Sequence, residues 1–117
     1  MKIEQVTLDL VIEQFQALKP DLIDAHATYF GLWVNKALAG IVSFQVHPTH
    51  VYLCHAYVKE EHRQRGYYNM LWEYRNSYIQ QHLSDLEVVA HCNTSSLKQF
   101  LNKGFEIEKA LFKVIKK

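Results

Sequence analysis

The sequence is short of charge of one sign: 13 lysines and arginines against 12 aspartates and glutamates leave a net charge of +1. A near-neutral chain has no global field for gripping nucleic acid, so no nucleic-acid partner is expected and any basic patch must be local. It is short of cysteine too. Cys54 and Cys92 both sit in apolar, strand-like runs, which reads as buried free thiols in a reducing compartment. No Cys-x-x-Cys or His-x-x-x-His spacing is present. Neighbouring strand residues point to opposite faces, so Cys54-His55 and His91-Cys92 do not chelate one ion easily, and no metal is expected. No apolar run is long enough to span a bilayer. The first residues, Met1-Lys2-Ile3-Glu4-Gln5, lack the apolar core of a signal peptide. These absences point to a cytoplasmic protein with no membrane partner. Repeats, low-complexity tracts and linkers are missing as well, and 117 residues fit one domain over 1–117 that buries a core without staples.

What is present is an alternation of helical and strand-like periods. Leu8, Val11, Phe15 and Leu18 recur at helical spacing, and Lys19-Pro20 closes that helix. Pro20 to His26 is ambiguous, with a short helical turn plausible. Thr28 to Val34 and Leu38 to Val46 read as two strands of a hairpin about Asn35-Lys36. Val51 to Val58 reads as a third strand, apolar on both faces and therefore covered on both. A helix is predicted from about Gly66 to Leu83, with Tyr67, Leu71, Tyr74 and Tyr78 as its buried stripe and Met70 and Ile79 at its margins. Glu87 to His91 is a short strand. A helix follows Asn93-Thr94-Ser95, carries Leu97, Phe100 and Leu101 on its apolar face, and ends at Gly104. Phe105 to Ile115 reads as strand. The pattern is α/β (α+β): a mixed, mostly antiparallel central sheet flanked by helices, with a ligand loop where a central strand ends.

That loop is Val58-Lys59-Glu60-Glu61-His62-Arg63-Gln64-Arg65-Gly66-Tyr67-Tyr68. A strand that breaks into a loop with a glycine and then opens a helix leaves backbone N–H groups without intrahelical partners. With the positive end of the helix dipole they form a site for a phosphate or pyrophosphate. Gly66 has no Cβ to hold the ligand off the backbone, and Arg63 and Arg65 add positive charge. The tyrosines at 67, 68, 74 and 78, beside Arg63, Arg65 and Arg75, read as a core stripe rather than a stacking surface for bases.

These residues resemble the GCN5-related N-acetyltransferases, the GNAT family. The family's acetyl-CoA loop, Arg/Gln-x-x-Gly-x-Gly/Ala after a strand ending in Val, is similar to Arg63-Gln64-Arg65-Gly66-Tyr67-Tyr68 after Val58. Its second signature, a strand, an Asn and a helix ending in Gly-Phe, resembles Val88 to Asn93 with Gly104-Phe105. The hairpin Trp33 to Phe44, with Gly40, is similar to the family's central hairpin, and the likeness covers roughly residues 28–107. The resemblance implies transfer of an acetyl group from acetyl-CoA to a primary amine of a small molecule or protein. The amides of Arg65, Gly66, Tyr68 and Asn69 would hold the pyrophosphate. Tyr57 and Val58 would pair with the pantetheine arm, with a strand-edge N–H near Tyr57 for the oxyanion. Arg63, Gln64, Tyr67, Asn93 and Phe100 complete the cofactor set.

Two positions depart from the family. Tyr68 stands where the loop usually ends in Gly or Ala, so its phenol is expected to point into the helix packing or over the ligand. Phe100 stands where the last helix usually carries the tyrosine that protonates the departing thiolate. The segment before the hairpin is short, so acceptor recognition is open or completed by a second subunit in a homodimer. An alkyl amine is mostly protonated at neutral pH, which makes a base useful. Alternation along the third strand puts Tyr52 and Cys54 on one face and His55 on the other. The resemblance implies that residues an even number of positions before the strand-end Val face the acceptor, which favours Tyr52 and Cys54 for the base, while pKa favours His55; His55 and Tyr52 are the candidates. The alternative is a catalytically weak protein of this fold that binds CoA or a protein partner.

Overall fold

The computed structural model describes residues 1–91 and 94–106. The elements run β1 (Lys2–Val6), α1 (Leu8–Phe15), a 3-10 turn (Pro20–Leu22), β2 (Thr28–Val34), β3 (Ala37–Val46) and β4 (His50–Val58). A second 3-10 turn (Glu60–His62), α2 (Tyr67–His82), β5 (Glu87–Val89) and α3 (Thr94–Asn102) follow. The strands form one sheet in the order β1-β2-β3-β4-β5. The first four are antiparallel neighbours, and β4 meets β5 in parallel.

The hairpin between β2 and β3 turns on Asn35 and Lys36, whose φ values of 50° and 68° give the turn that matches strand twist. Thr7 caps α1 by accepting the Leu10 amide at 3.2 Å, and α1 buries Val11 and Phe15. They pack with Leu22, Tyr29, Leu38 and Ile41 on one face of the sheet, and Tyr57 joins them from β4. On the other face α2 brings Leu71, Trp72 and Ile79 against Phe30, Leu32, Val42, Phe44, Val51, Leu53 and Val58. Both faces of the central strands are therefore covered, as their apolar composition requires.

Gly40 allows a close approach of β3 to β4. A Cβ there would lie 2.7 Å from the Tyr57 carbonyl oxygen and 3.1 Å from Leu71 Cδ1. At the far end of the chain, Gly104 N–H bonds the Leu101 carbonyl at 3.1 Å and Phe105 N–H bonds that of Phe100 at 3.1 Å. These bonds close α3 at the expected glycine and satisfy carbonyls the helix end leaves over.

Three expectations change. Strand β1 was not foreseen. Its Lys2 and Glu4 form an exposed ion pair at 3.2 Å, and two charges in five edge residues conceal the strand period, while Ile3 and Val6 reach the two cores. The buried face of α2 is Leu71, Trp72, Arg75 and Ile79; of the expected stripe Leu71 is buried, and Tyr67 and Tyr78 pack half-buried against the core. Tyr74 is 38% exposed, because the stripe is centred on a buried arginine. Strict alternation fails in β4. The register with β3 shifts between Val42 and Phe44, where Val42 pairs Ala56 but Phe44 pairs Leu53. Ser43 thus opposes both Cys54 and His55, a β-bulge. Of the predicted strand from Phe105 to Ile115, the part beyond Glu106 lies outside the described residues, as does Asn93.

Candidate active site

The strands β4 and β5 separate where the site begins. They pair only over His50–Tyr52 and Glu87–Val89, while β4 runs on to Val58, so its edge beyond Tyr52 has no β5 partner. The Lys59 amide bonds the Ala39 carbonyl at 2.8 Å. Hydrogen bonding alternates along an antiparallel pair, so Tyr57 also turns its backbone groups to β3. By the same register Ala56 and Val58 turn theirs to the open edge. The edge position for an added extended ligand therefore belongs to Ala56 and Val58, with Tyr57 between them.

A cleft of about 420 Å³ occupies this opening, lined by Ala56, Tyr57, Val58, His62, Arg63, Gln64, Gly66, Tyr67, Tyr68 and Asn69. After Val58 the chain makes its 3-10 turn and then passes through two left-handed residues, Gln64 at φ 64° and Gly66 at φ 80°. Gly66 serves as the N-cap of α2. A Cβ at Gly66 would meet nothing within 4 Å, so the backbone is open to an incoming group. The first helical bond runs from Met70 N–H to Gly66 O at 3.1 Å. Among the described residues no hydrogen bond takes the amide hydrogens of Gln64 to Asn69. The first turn of α2 carries no acidic side chain, so the positive end of the helix is uncompensated and suits an anion.

Other predicted residues are placed as follows. Arg63 Nε donates to the Val58 carbonyl at 2.9 Å, and its guanidinium lies 5.3 Å from the centre of the Tyr57 ring, so it braces the cleft wall. Arg65 is exposed beside the lining residues. The Tyr68 hydroxyl accepts from Gln99 Nε2 at 2.9 Å, and its ring packs against the α2 core. Its phenol is thus drawn toward α3 rather than across the amides. Phe100 stands edge-on to Trp72 at 5.4 Å and to Phe105 at 5.3 Å and is not among the cleft-lining residues. Sequence reasoning named neither Ala56 nor His62. The signal for Ala56 is its two-residue spacing from Val58, which puts both on the same edge.

Neither candidate proton carrier lines the cleft; both lie on β4 before its Ala56 edge. The bulge turns both Cys54 and His55 toward the 20–28 loop, where each feels the charge of Asp24. Burial pushes the His55 imidazole below its usual pKa, while Asp21 and Asp24 pull it back up and Lys19 and Arg75 push it down. It is therefore neutral at pH 7 and able to accept a proton. Burial raises the Tyr52 phenol, helped by Cys54, so Tyr52 holds its proton and is suited to donating rather than accepting one. The Tyr52 ring is 5.2 Å from that of His91. The Cys54 thiol, free of any disulfide, is pushed up to about 11, mainly by burial, and is no nucleophile at neutral pH.

Asp24 is the residue the sequence did not reveal. The Tyr29 hydroxyl accepts the Asp24 amide at 2.7 Å and donates to the Leu22 carbonyl at 2.6 Å, which pins the loop to β2. The Asp24 carboxylate takes the His26 amide at 2.8 Å and the Gln45 side-chain amide. Gln45 Oε1 in turn meets His47 Nε2 at 2.9 Å. A fixed carboxylate facing the same side as His55 suits a cationic acceptor.

A split sheet with a row of unbonded amides at the head of α2 is an arrangement that suits an extended ligand bearing a phosphate. The sequence profile described as the Acetyltransferase (GNAT) family matches residues 4–105. The chain belongs to this family.

Among solved structures it is similar to a ribosomal-protein-alanine N-acetyltransferase from Brucella melitensis, with a TM-score of 0.70 and 19% identity over 94% of this chain and 96% of that one. It is similar to Tetrahymena GCN5, with a TM-score of 0.70 and 16% identity over 93% of this chain and 82% of that one. It is also similar to the aminoglycoside N-acetyltransferase AAC(6')-Iy in complex with a bisubstrate analogue of CoA and acetylneamine. There the TM-score is 0.67 and the identity 18%, over 92% of each chain. At these identities the likeness is one of fold. No curated protein sequence is a match for this chain. Among the described residues no helix is long and apolar enough to cross a membrane, and no cluster of three or more metal-ligating side chains occurs.

Proposed function

We propose that this chain is an acetyl-CoA-dependent N-acetyltransferase acting on a primary amine by direct attack on the thioester. One observation carries the reading: the unbonded amides of Gln64 to Asn69 stand beside an open strand edge, in one cleft. The coenzyme's diphosphate fits the amides of the turn, and its pantetheine arm fits the Ala56–Val58 edge as an added strand. At the end of that arm the thioester carbonyl meets a strand-edge N–H, which stabilises the oxyanion.

Chemistry follows from position. The amine nitrogen forms a bond to the carbonyl carbon, the carbon–sulfur bond breaks, and CoA leaves as thiolate. An alkyl amine with a pKa of about 10.4 is neutral in roughly one molecule in a few thousand at pH 7. The neutral imidazole of His55 takes its proton, directly or through water, and the fixed Asp24 carboxylate draws the cationic acceptor to that side. The thiolate needs little help, because a thiol of pKa about 8.5 is a good leaving group; Tyr52, which keeps its proton, is the available donor. Acceptors of solved proteins with this fold include an aminoglycoside and a ribosomal protein, so a small polyamine and a protein amino group are the two classes to assay.

Thiol release from acetyl-CoA across an amine panel tests the reading. Turnover on at least one amine is expected from the wild type. Gly66→Glu should abolish saturable acetyl-CoA binding, because a side chain at φ 80° costs about 1–2 kcal/mol and the new carboxylate repels the diphosphate. Unchanged affinity in that variant would overturn the placement of the coenzyme. A second reading, a CoA-binding protein of weak catalysis, is favoured by Phe100, which stands where the resembling family carries a tyrosine and packs on Trp72 and Phe105 outside the cleft. Tight CoA binding with no turnover on any acceptor would establish it instead.

A further inference from the structure

At the bulge in β4, two backbone carbonyls meet a buried charge. Arg75 lies in the middle of the core face of α2 and is 1% exposed. Its Nη1 donates to the Ser43 carbonyl at 3.0 Å and to the His55 carbonyl at 3.3 Å. The guanidinium carbon lies 4.3 Å from the centre of the Trp72 ring. Across the same bulge the Ser43 hydroxyl accepts the His55 amide at 3.1 Å. The ion pairs among the described residues are Lys2 with Glu4 and Lys19 with Asp21, so Arg75 has no carboxylate partner there.

A buried charge with no carboxylate partner among the described residues costs stability, and an apolar side chain at this point of the stripe would pack at lower cost. Its retention calls for a role beyond packing, and the two carbonyls supply one. Pairing at Val42–Ala56 and at Phe44–Leu53 resumes on either side of the bulge, so the bulge is the only interruption of this ladder. It reverses which side chains face the 20–28 loop and begins one residue before the cleft edge at Ala56.

We propose that Arg75 is a positioning residue for acetyl transfer: it clamps the β3–β4 bulge from beneath, directing His55 to the acceptor side and fixing the Ala56–Val58 edge against the thioester. The proposal rests on the acetyltransferase reading. The charges that act on His55 are those of Asp21, Lys19 and Asp24 and of Arg75 on α2, and its amide bonds the Ser43 hydroxyl on β3. Of these, Arg75 is the cation beneath the sheet, and its charge disfavours protonation of His55.

The test compares wild type, Arg75→Met and Arg75→Lys, with Ser43→Ala attacking the same bulge from β3. Four quantities are read: the affinity for CoA, kcat and KM for the best amine, the NMR titration of the His55 ring, and hydrogen exchange of the amides at 54–56. In Arg75→Met the amides at 64–69 are untouched while the Ala56–Val58 edge loosens, so CoA affinity should fall, but by a smaller factor than kcat. The kcat should fall at least tenfold, the low-pH limb and the His55 titration should both move to higher pH, and exchange at 54–56 should accelerate. Arg75→Lys returns the charge without the forked geometry and should restore the titration but not kcat. Ser43→Ala should show faster exchange and reduced kcat with the His55 titration close to wild type, and it decides the matter if Arg75→Met does not fold. A wild-type kcat, titration and exchange pattern in Arg75→Met, or in Ser43→Ala where the first variant is unfolded, overturns the clamp. A wild type with no turnover on any amine overturns the enzymatic reading instead, and the titration and exchange then decide whether the clamp exists.

Discussion

Burial keeps the His55 imidazole neutral at a pH where an exposed histidine would already share a proton with water. The unfolded chain binds that proton near the ordinary value of 6.5, and the folded chain binds it only lower. Below that value the unfolded state therefore holds more protons, and stability falls as the pH drops. Denaturant midpoints measured from pH 7.5 to pH 5 should decline in the wild type and decline less in His55→Gln; parallel curves would show that His55 is solvated. Phe100 supports a second prediction at this scale. Its ring sits among Trp72 and Phe105, and a hydroxyl placed there loses water without gaining a partner. Phe100→Tyr should cost about 1–3 kcal/mol and leave kcat unchanged, as read by denaturation and thiol release. A rise in kcat would show that the ring reaches the leaving thiolate.

Among the elements, the approach of β3 to β4 at Gly40 is the tightest constraint on the site. Gly40→Ala sets a methyl 2.7 Å from the Tyr57 carbonyl oxygen. Backbone cannot move aside as a side chain can, so the change should cost about 1–3 kcal/mol and weaken CoA binding through the displaced β4 edge. A stability within about 0.5 kcal/mol of wild type would mean that the strands separate freely. The hairpin, β4 and the start of α2 are legible in the sequence because their signals are local: β-branched runs, a two-residue turn, a glycine at the head of the helix. β1 is not, because charged Lys2 and Glu4 on an edge strand read as surface coil. The face of α2 was misjudged for a related reason. An arginine at the centre of an apolar stripe contradicts the pattern from which stripes are read, and the contacts that justify it lie 20 and 32 residues away.

At the level of the whole molecule, a sheet that pairs β4 with β5 over three residues and then opens makes the cleft proposed for the coenzyme. The α1 helix covers one face, and α2 with Phe100 of α3 covers the other. The loop from Arg63 to Tyr68 was legible because it combines a glycine, a strand end and a helix start within a few residues. The acceptor side was not, because Asp24, Tyr29 and Gln45 meet only through tertiary folding. The most direct measurement of the account is a 1H–15N titration of the protein with CoA. Saturable shifts should concentrate on the amides of Gln64 to Asn69 and on those of Ala56 and Val58, with Tyr57 N–H, bonded to β3, shifting less. Saturation with CoA that leaves the amides from 64 to 69 unmoved would contradict it.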